Sequence, residues 1–183
     1  GKNLGAYGEG GLVVTNDEGQ AKALRSLRNW GEDQPYKQER PVFNYRMDNI
    51  QGAILRVKLR HLPAWTEARR RLAVAYDEAL TGTGVVSPTV MPYAHHVYHL
   101  YAIQSSDRDR LHRALGQAEI QTGRHYPAPA HLHAAHADLG GNAGDHPHSE
   151  TAARRTLTLP IYPEMPSDVP ERVAGIIRET LSS

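Results

Sequence analysis

Apolar residues recur along this chain with two periods. A four-residue run, Leu12-Val13-Val14-Thr15, is bounded by glycines before it and by Asn16-Asp17 after it, which predicts a strand. Ala21, Leu24 and Leu27 then recur at helical spacing, so a helix follows to about Asn29, with Asn16 or Asp17 as cap and Gly31 as terminator. Residues 32–45 are polar and carry Pro35 and Pro41, and they read as a loop. A second helical stretch opens at Met47-Asp48-Asn49-Ile50-Gln51, with Asp48 as cap and Ile50, Ile54, Val57 and Leu62 on one face. Pro63 interrupts or restarts it. From Ala64 to Leu80 the stripe is Trp65, Ala68, Leu72, Ala75, Tyr76 and Ala79. Arg69-Arg70-Arg71 lie within it and read as a solvated face pairing with Glu67, Asp77 and Glu78, in preference to a basic patch.

Beyond Gly82 the pattern is that of a smaller α+β region, entered past Pro88 and Pro92. His96–Ile103 alternates and predicts a strand; Asp107–Gln117 predicts a helix with Leu111 and Leu115 inward. Thr122–Tyr126 is a further strand candidate. Residues 127–148 are rich in Pro, Gly, His and Ala and read as a long loop, of the length that is usually functional or mobile. A short helix over Glu150–Arg155, a strand over Thr156–Pro160 and a closing helix over Pro170–Leu181 complete the series. Val173, Ile176, Ile177 and Leu181 form the apolar side of that last helix. No internal repeat is visible.

Composition narrows the chemistry. A chain of 183 residues with a formal charge of +1 creates no large field, so neither nucleic acid nor an anionic membrane is indicated as partner. The absence of cysteine rules out disulfides, thiolate metal sites and cysteine nucleophiles. No apolar run is long enough to span a bilayer, and a soluble, cytoplasmic protein is expected. Eleven histidines are the unusual feature, most of them between His95 and His148. His131, His133 and His136, with His146 and His148, have spacing compatible with a metal, yet their neighbours offer no supporting pattern, and no metal site is assigned.

The first eleven residues concentrate the candidate chemistry. Lys2 stands in a short polar segment just ahead of Gly5, Gly8, Gly10 and Gly11. By residue type alone it is a surface lysine. Beside rigid backbone, in an environment that lowers its pKa, the same amine traps carbonyls. The glycines do not form a phosphate-binding P-loop, because no Gly-Lys-Ser/Thr follows at the required spacing. Asn44 alone reads as a turn or cap residue, and Tyr126, before Pro127, as an extended packed aromatic.

Taken in order, the segments resemble a known family. Lys2-Asn3-Leu4-Gly5, Gly8-Glu9-Gly10-Gly11 and Val13-Val14-Thr15-Asn16-Asp17 are similar to the DegT/DnrJ/EryC1/StrS aminotransferases. So are Leu27-Arg28-Asn29-Trp30-Gly31, Asn44-Tyr45-Arg46-Met47-Asp48, and His96-Val97-Tyr98-His99-Leu100-Tyr101. His125-Tyr126-Pro127-Ala128-Pro129-Ala130-His131 and Leu157-Thr158-Leu159-Pro160-Ile161-Tyr162-Pro163 continue the series over nearly the whole chain. At 133 and 136 the family often has a residue other than histidine.

The resemblance implies an α/β protein, the C-terminal part of an aspartate-aminotransferase-like (fold type I) fold. Residues 1–45 would be the last piece of the cofactor-binding large domain, 46–81 connecting helices and 82–183 the small α+β domain. It implies pyridoxal 5′-phosphate (PLP) as cofactor, with Lys2 as the Schiff-base lysine. Asn44 would reach the cofactor phosphate across the interface of a homodimer, and His125 and Tyr126 would lie near the substrate. That substrate would be a nucleotide-linked keto sugar, aminated at the expense of an amino acid such as glutamate. Family members extend well upstream of this lysine, into the phosphate loop, the aromatic that stacks on the cofactor ring and the acidic partner of the pyridine nitrogen. The 183 residues alone are therefore expected to be inactive. Two other classes are a catalytically silent regulatory or assembly relative and a histidine-rich metal-binding module.

Overall fold

In a computed structural model, residues 2–34, 36–38 and 44–182 are described. The chain divides into two compact units, Gly1–Leu62 and Pro63–Ser183. The predicted α/β class holds, with six helices and four short strands among the described residues.

In the first unit, helix α1 (Glu18–Arg28) starts where the sequence places it. Asp17 Oδ1 accepts the Gln20 N–H at 2.8 Å, and Thr15 Oγ1 accepts the Asp17 N–H at 3.1 Å. This satisfies donors that the first helical turn leaves without a partner. Gly31, at φ 68°, ends the helix by donating its N–H to Ser26 O at 2.9 Å, a conformation that glycine adopts without steric cost. The segment read as a loop holds a small antiparallel hairpin, β1 (Glu32–Gln34) and β2 (Lys37–Gln38), with Tyr36 left-handed at φ 64°. Pro35 and Pro41 lie outside the described residues.

The strand predicted over Leu12–Thr15 is not formed. Its side chains are exposed, Leu12 at 88% and Val14 at 82%, and no described strand pairs with it. A β-type run acquires a ladder only beside another edge. The apolar stripe of α1 is likewise exposed at Leu24 and Leu27. Helix α2 (Asn49–Leu59) follows Asp48, which makes no side-chain capping bond.

The second unit holds the core. Helix α3 (Leu62–Ala79) carries Pro63 in its first turn, where the missing N–H costs nothing, so the proline restarts the helix. Strands β3 (Tyr101–Gln104) and β4 (Thr156–Leu159) pair antiparallel, Tyr101 opposite Leu159 and Ile103 opposite Leu157. Helices α4 (Arg108–Gln117) and α6 (Val169–Ser182) add Leu111, Leu115, Val173 and Ile177, all fully buried. Helix α5 (Pro147–Arg155) begins three residues earlier than predicted, on Pro147.

Three sequence expectations change here. The strand expected over His96–Ile103 is confined to its end, because Tyr98 takes a left-handed φ of 41°. Thr122–Tyr126 gives only a single bridge, Gly123 opposite Thr158. Within residues 127–148, two 3-10 segments, Ala130–Leu132 and Ala134–Leu139, replace a structureless loop.

The arginine triplet divides. Arg70 behaves as expected on one side, pairing with Glu67 at 3.8 Å, but it also donates to His96 O at 3.0 Å. Arg69 is buried, contrary to the solvated-face reading. It donates to Ile161 O at 2.8 Å and to Tyr98 O at 3.1 Å. It sits on the buried stripe with Leu72, Ala73 and Tyr76, and its charge is tolerated because the guanidinium answers carbonyls that the turn leaves open. Arg69→Ala is expected to destabilise the second unit by about 2–4 kcal/mol in urea denaturation, by orphaning those carbonyls. Arg71→Ala, at an exposed position, should stay within about 0.5 kcal/mol of the parent chain.

Candidate functional site

Lys2 opens a tight turn in which the Gly5 N–H donates to Lys2 O at 2.9 Å. The segment after it lies along α2. Gln51 on that helix accepts the Tyr7 N–H on Oε1 at 2.9 Å and donates Nε2 to Tyr7 O at 2.8 Å. Lys58 Nζ donates to Gly5 O and stands 5.2 Å from the centroid of the Tyr7 ring. Close approach is possible because position 8 has no side chain: a Cβ there would meet Gln51 Nε2 at 2.9 Å, and φ is 151°. A Cβ at Gly10 would press on Met47 Sδ at 3.2 Å.

Between this segment and α2 lies a cleft of about 590 Å³. Its walls include Leu4, Met47, Leu55 and Leu59, and its charged groups are Lys2, Glu9 and Arg56. An exposed primary amine lining a mostly apolar cleft suits capture of a carbonyl compound.

Asn44 is in the same unit but does not line that cleft. It forms an antiparallel bridge with Asn29. Arg46, which no sequence signal singles out, donates Nε to Asn44 Oδ1 at 2.9 Å and a second nitrogen to Asn29 Oδ1 at 3.3 Å. Because a guanidinium only donates, the Asn44 amide turns its oxygen to Arg46 and its Nδ2 donors the other way. The result is a donor-rich surface suited to an anionic oxygen.

His125 and Tyr126 belong to the second unit. Gly123 and Thr158 exchange backbone hydrogen bonds at 3.0 and 2.8 Å, and Thr158 Oγ1 meets His125 Nδ1 at 2.9 Å. The imidazole lies over Gly123, where a Cβ would stand 2.6 Å from its Cε1. One ring nitrogen is thus engaged and the exposed ring presents the other. The Tyr126 ring packs edge-on to it, centroids 5.5 Å apart, and is 70% exposed. A cleft of about 580 Å³ adjoins Gly123 and Thr158, with His99, Tyr162 and Arg172 on its walls.

The remaining histidines do not converge. Among the described residues no three His, Asp or Glu side chains are grouped to hold a metal. His131 Nε2 instead meets Glu150 Oε1 at 3.2 Å, and its ring packs edge-on to His146 with centroids 4.6 Å apart. Glu150 Oε1 also accepts the Gly144 N–H at 2.8 Å. That backbone donor, then the His131 contacts, hold the Glu150 carboxyl below its ordinary value of 4.5. No described helix is long and apolar enough to cross a membrane.

Comparison with known proteins supplies context for this geometry. Residues 1–178 match the DegT/DnrJ/EryC1/StrS aminotransferase family. The chain is 42% identical over 179 residues to the erythromycin biosynthesis sensory transduction protein EryC1 of Saccharopolyspora erythraea, covering 97% of this chain and 49% of that one. It is 41% identical to the dTDP-3-amino-3,4,6-trideoxy-alpha-D-glucose transaminase of Streptomyces venezuelae, covering 98% and 48%. The crystal structure of S. venezuelae DesV in complex with a ketimine intermediate superposes with a TM-score of 0.95 at 39% identity, over 99% of this chain and 49% of that one. The chain thus spans about half the length of the relatives it matches.

The Glu150 contacts set a pH dependence. A carboxyl depressed in the folded state stabilises its surroundings above the unfolded value, and that contribution disappears as pH falls through the folded value. The Gly144 amide proton shift, followed by NMR, should therefore stay constant above about pH 5 and move only below 4.5, the ordinary value. In Glu150→Gln that acid-side movement should vanish.

Proposed function

The chain belongs to the DegT/DnrJ/EryC1/StrS aminotransferase family, and from that premise we propose that it is the C-terminal half of a PLP-dependent sugar aminotransferase. The donor is an amino acid such as glutamate and the acceptor a nucleotide-linked keto sugar. The working enzyme is a cytoplasmic homodimer with shared active sites. Residues 1–45 then close the cofactor domain, 46–81 connect, and 82–183 form the small domain. The substrate class is drawn from the dTDP-sugar transaminase of S. venezuelae, 41% identical to this chain.

The observation that carries this reading is the amine of Lys2 at the edge of the cleft on α2. The residues present fit one side of PLP. Lys2 offers a primary amine for its aldehyde, the walls formed by Met47 and Leu55 suit an aromatic ring, and the Asn44 amide offers donors for a phosphate. When bound, PLP supplies the electron sink for breaking a C–H bond next to an amine. Lys2 Nζ would hold the cofactor and, once free, would move a proton to or from the carbon next to the amine. Asn44 Nδ2 would donate to a phosphate oxygen, aimed by Arg46. His125, fixed by Thr158, and the Tyr126 hydroxyl bind sugar hydroxyls or the nucleotide phosphate.

The description of EryC1 as a sensory transduction protein favours a second reading, a regulatory relative without turnover. One experiment addresses both. In the complete enzyme, Lys2→Ala should lower amination of a dTDP-keto sugar by about 10²–10⁴-fold or more. Unchanged amination removes the proposed role of Lys2, and absence of turnover in the parent enzyme favours the regulatory reading. Asn44→Ala should weaken PLP retention about tenfold, measured by cofactor dissociation on dilution.

A further inference from the structure

The residues that hold the Lys2 loop carry an inference of their own. We propose that Gln51 and Lys58 are positioning residues for Lys2, a role that rests on the transaminase reading and deepens it. They stand seven positions apart on α2, two turns along one face, about 10 Å in rise. Each grips a different peptide of the same glycine-rich segment.

Gln51 closes both polar groups of Tyr7, as a neighbouring strand would. Because one end of its amide donates and the other accepts, its orientation is fixed by the pair. Glycine at position 8 is what admits the amide, since a Cβ would stand 2.9 Å from Nε2. Lys58 works closer to the amine. Its ammonium donates to Gly5 O, and the N–H of Gly5 donates in turn to Lys2 O. A single residue therefore links Lys58 to the backbone of Lys2. The Tyr7 ring beside Lys58 Nζ, at 5.2 Å, adds a cation–π contact that keeps the two grips together.

The need for such a clasp follows from the sequence. Glycines at 5, 8, 10 and 11 leave the segment with more backbone freedom than side-chain-bearing residues at those positions would. A reacting group misplaced by about 1 Å loses much of its rate advantage. Neither Gln51 nor Lys58 is assigned to bonds with cofactor or substrate; both act on the amine through backbone.

The test reads the amine directly in the complete enzyme freed of cofactor, where trace acylation with acetic anhydride, resolved by peptide mass spectrometry, gives the rates at Lys2, Lys22, Lys37 and Lys58 separately. Gln51→Glu replaces the donor facing Tyr7 O by a carboxylate, and Gly8→Ala pushes the amide away without touching Gln51. In both, the Lys2-to-Lys22 rate ratio should change by about threefold or more across pH 7–10, with the Lys37-to-Lys22 ratio constant. A smaller change in either variant overturns the proposal. If circular dichroism shows that one variant has not folded, Lys58→Met replaces it under the same criterion. A contribution to stability alone would lower the melting temperature and leave the Lys2 ratio unmoved. The outcome is separate from that of Lys2→Ala in the complete enzyme. An unmoved ratio with an inactive Lys2→Ala enzyme removes the clasp and spares the transaminase reading, and the reverse pattern removes that reading and spares the clasp.

Discussion

Every peptide group withdrawn from water needs a partner, and in this chain side chains repeatedly supply one where no strand or helix continues. Gln51 does this for Tyr7, and Lys58 for Gly5. In the second unit the same work falls to arginines. Arg69 takes Ile161 O, Arg172 takes Ala118 O beyond α4, Arg178 takes Ala79 O at the end of α3, and Arg108 takes Ala153 O in the last turn of α5. Three of these acceptors are carbonyls at helix C-termini, which lack intrahelical donors and carry the negative end of the helix dipole, so a cation there gains twice. In these four places an arginine is committed to backbone carbonyls and not to the open surface.

This habit explains which parts of the fold could be read from sequence. Helices α4 and α6 and strand β4 were legible because their apolar residues face a core within the same unit: Leu111, Leu115, Leu157, Val173 and Ile177 are all fully buried. Helix α1 was legible through its cap, which is a local interaction between Asp17 and Gln20. Leu12–Thr15 was misread because periodicity records a face that asks for burial and says nothing about what covers it. Arg69 was misread for the opposite reason. Its position on the stripe, three before Leu72 and seven before Tyr76, marked it as inward, but its charge suggested water. The carbonyls that accept from it are 29 and 92 residues away, beyond any local pattern.

The candidate site was legible to a similar extent. Lys2, Asn44, His125 and Tyr126 stand out as candidates through motifs, whereas the groups that contact them do not. Arg46 turns the Asn44 amide, Thr158 engages His125, and Gln51 and Lys58 grip the Lys2 loop. A supporting residue contributes one hydrogen bond whose partner can lie anywhere in the chain, so spacing carries no trace of it. Glycines offer the exception. Gly8 and Gly123 each lie where a Cβ would strike a specific side chain, Gln51 in one case and His125 in the other. Their absence of a side chain is a shape requirement, legible in principle as glycine at a position that no turn alone explains.

Anchoring also separates residues that the motif placed side by side. His125 is tied to Thr158, whose backbone bridges Gly123 and which belongs to buried strand β4, so the imidazole is referenced to the core through one hydrogen bond. Tyr126 has only the edge of that imidazole against its ring and is largely exposed. A group fixed to a rigid strand can aim at one atom, whereas a group held by one aromatic edge adapts to what it meets. The His131–Glu150 contact beyond them stabilises the loop that carries both onward, tying it to the first turn of α5 through the Gly144 N–H. The histidine-rich composition of that loop is thus accounted for in part by packing and hydrogen bonding, with His131 and His146 ring against ring.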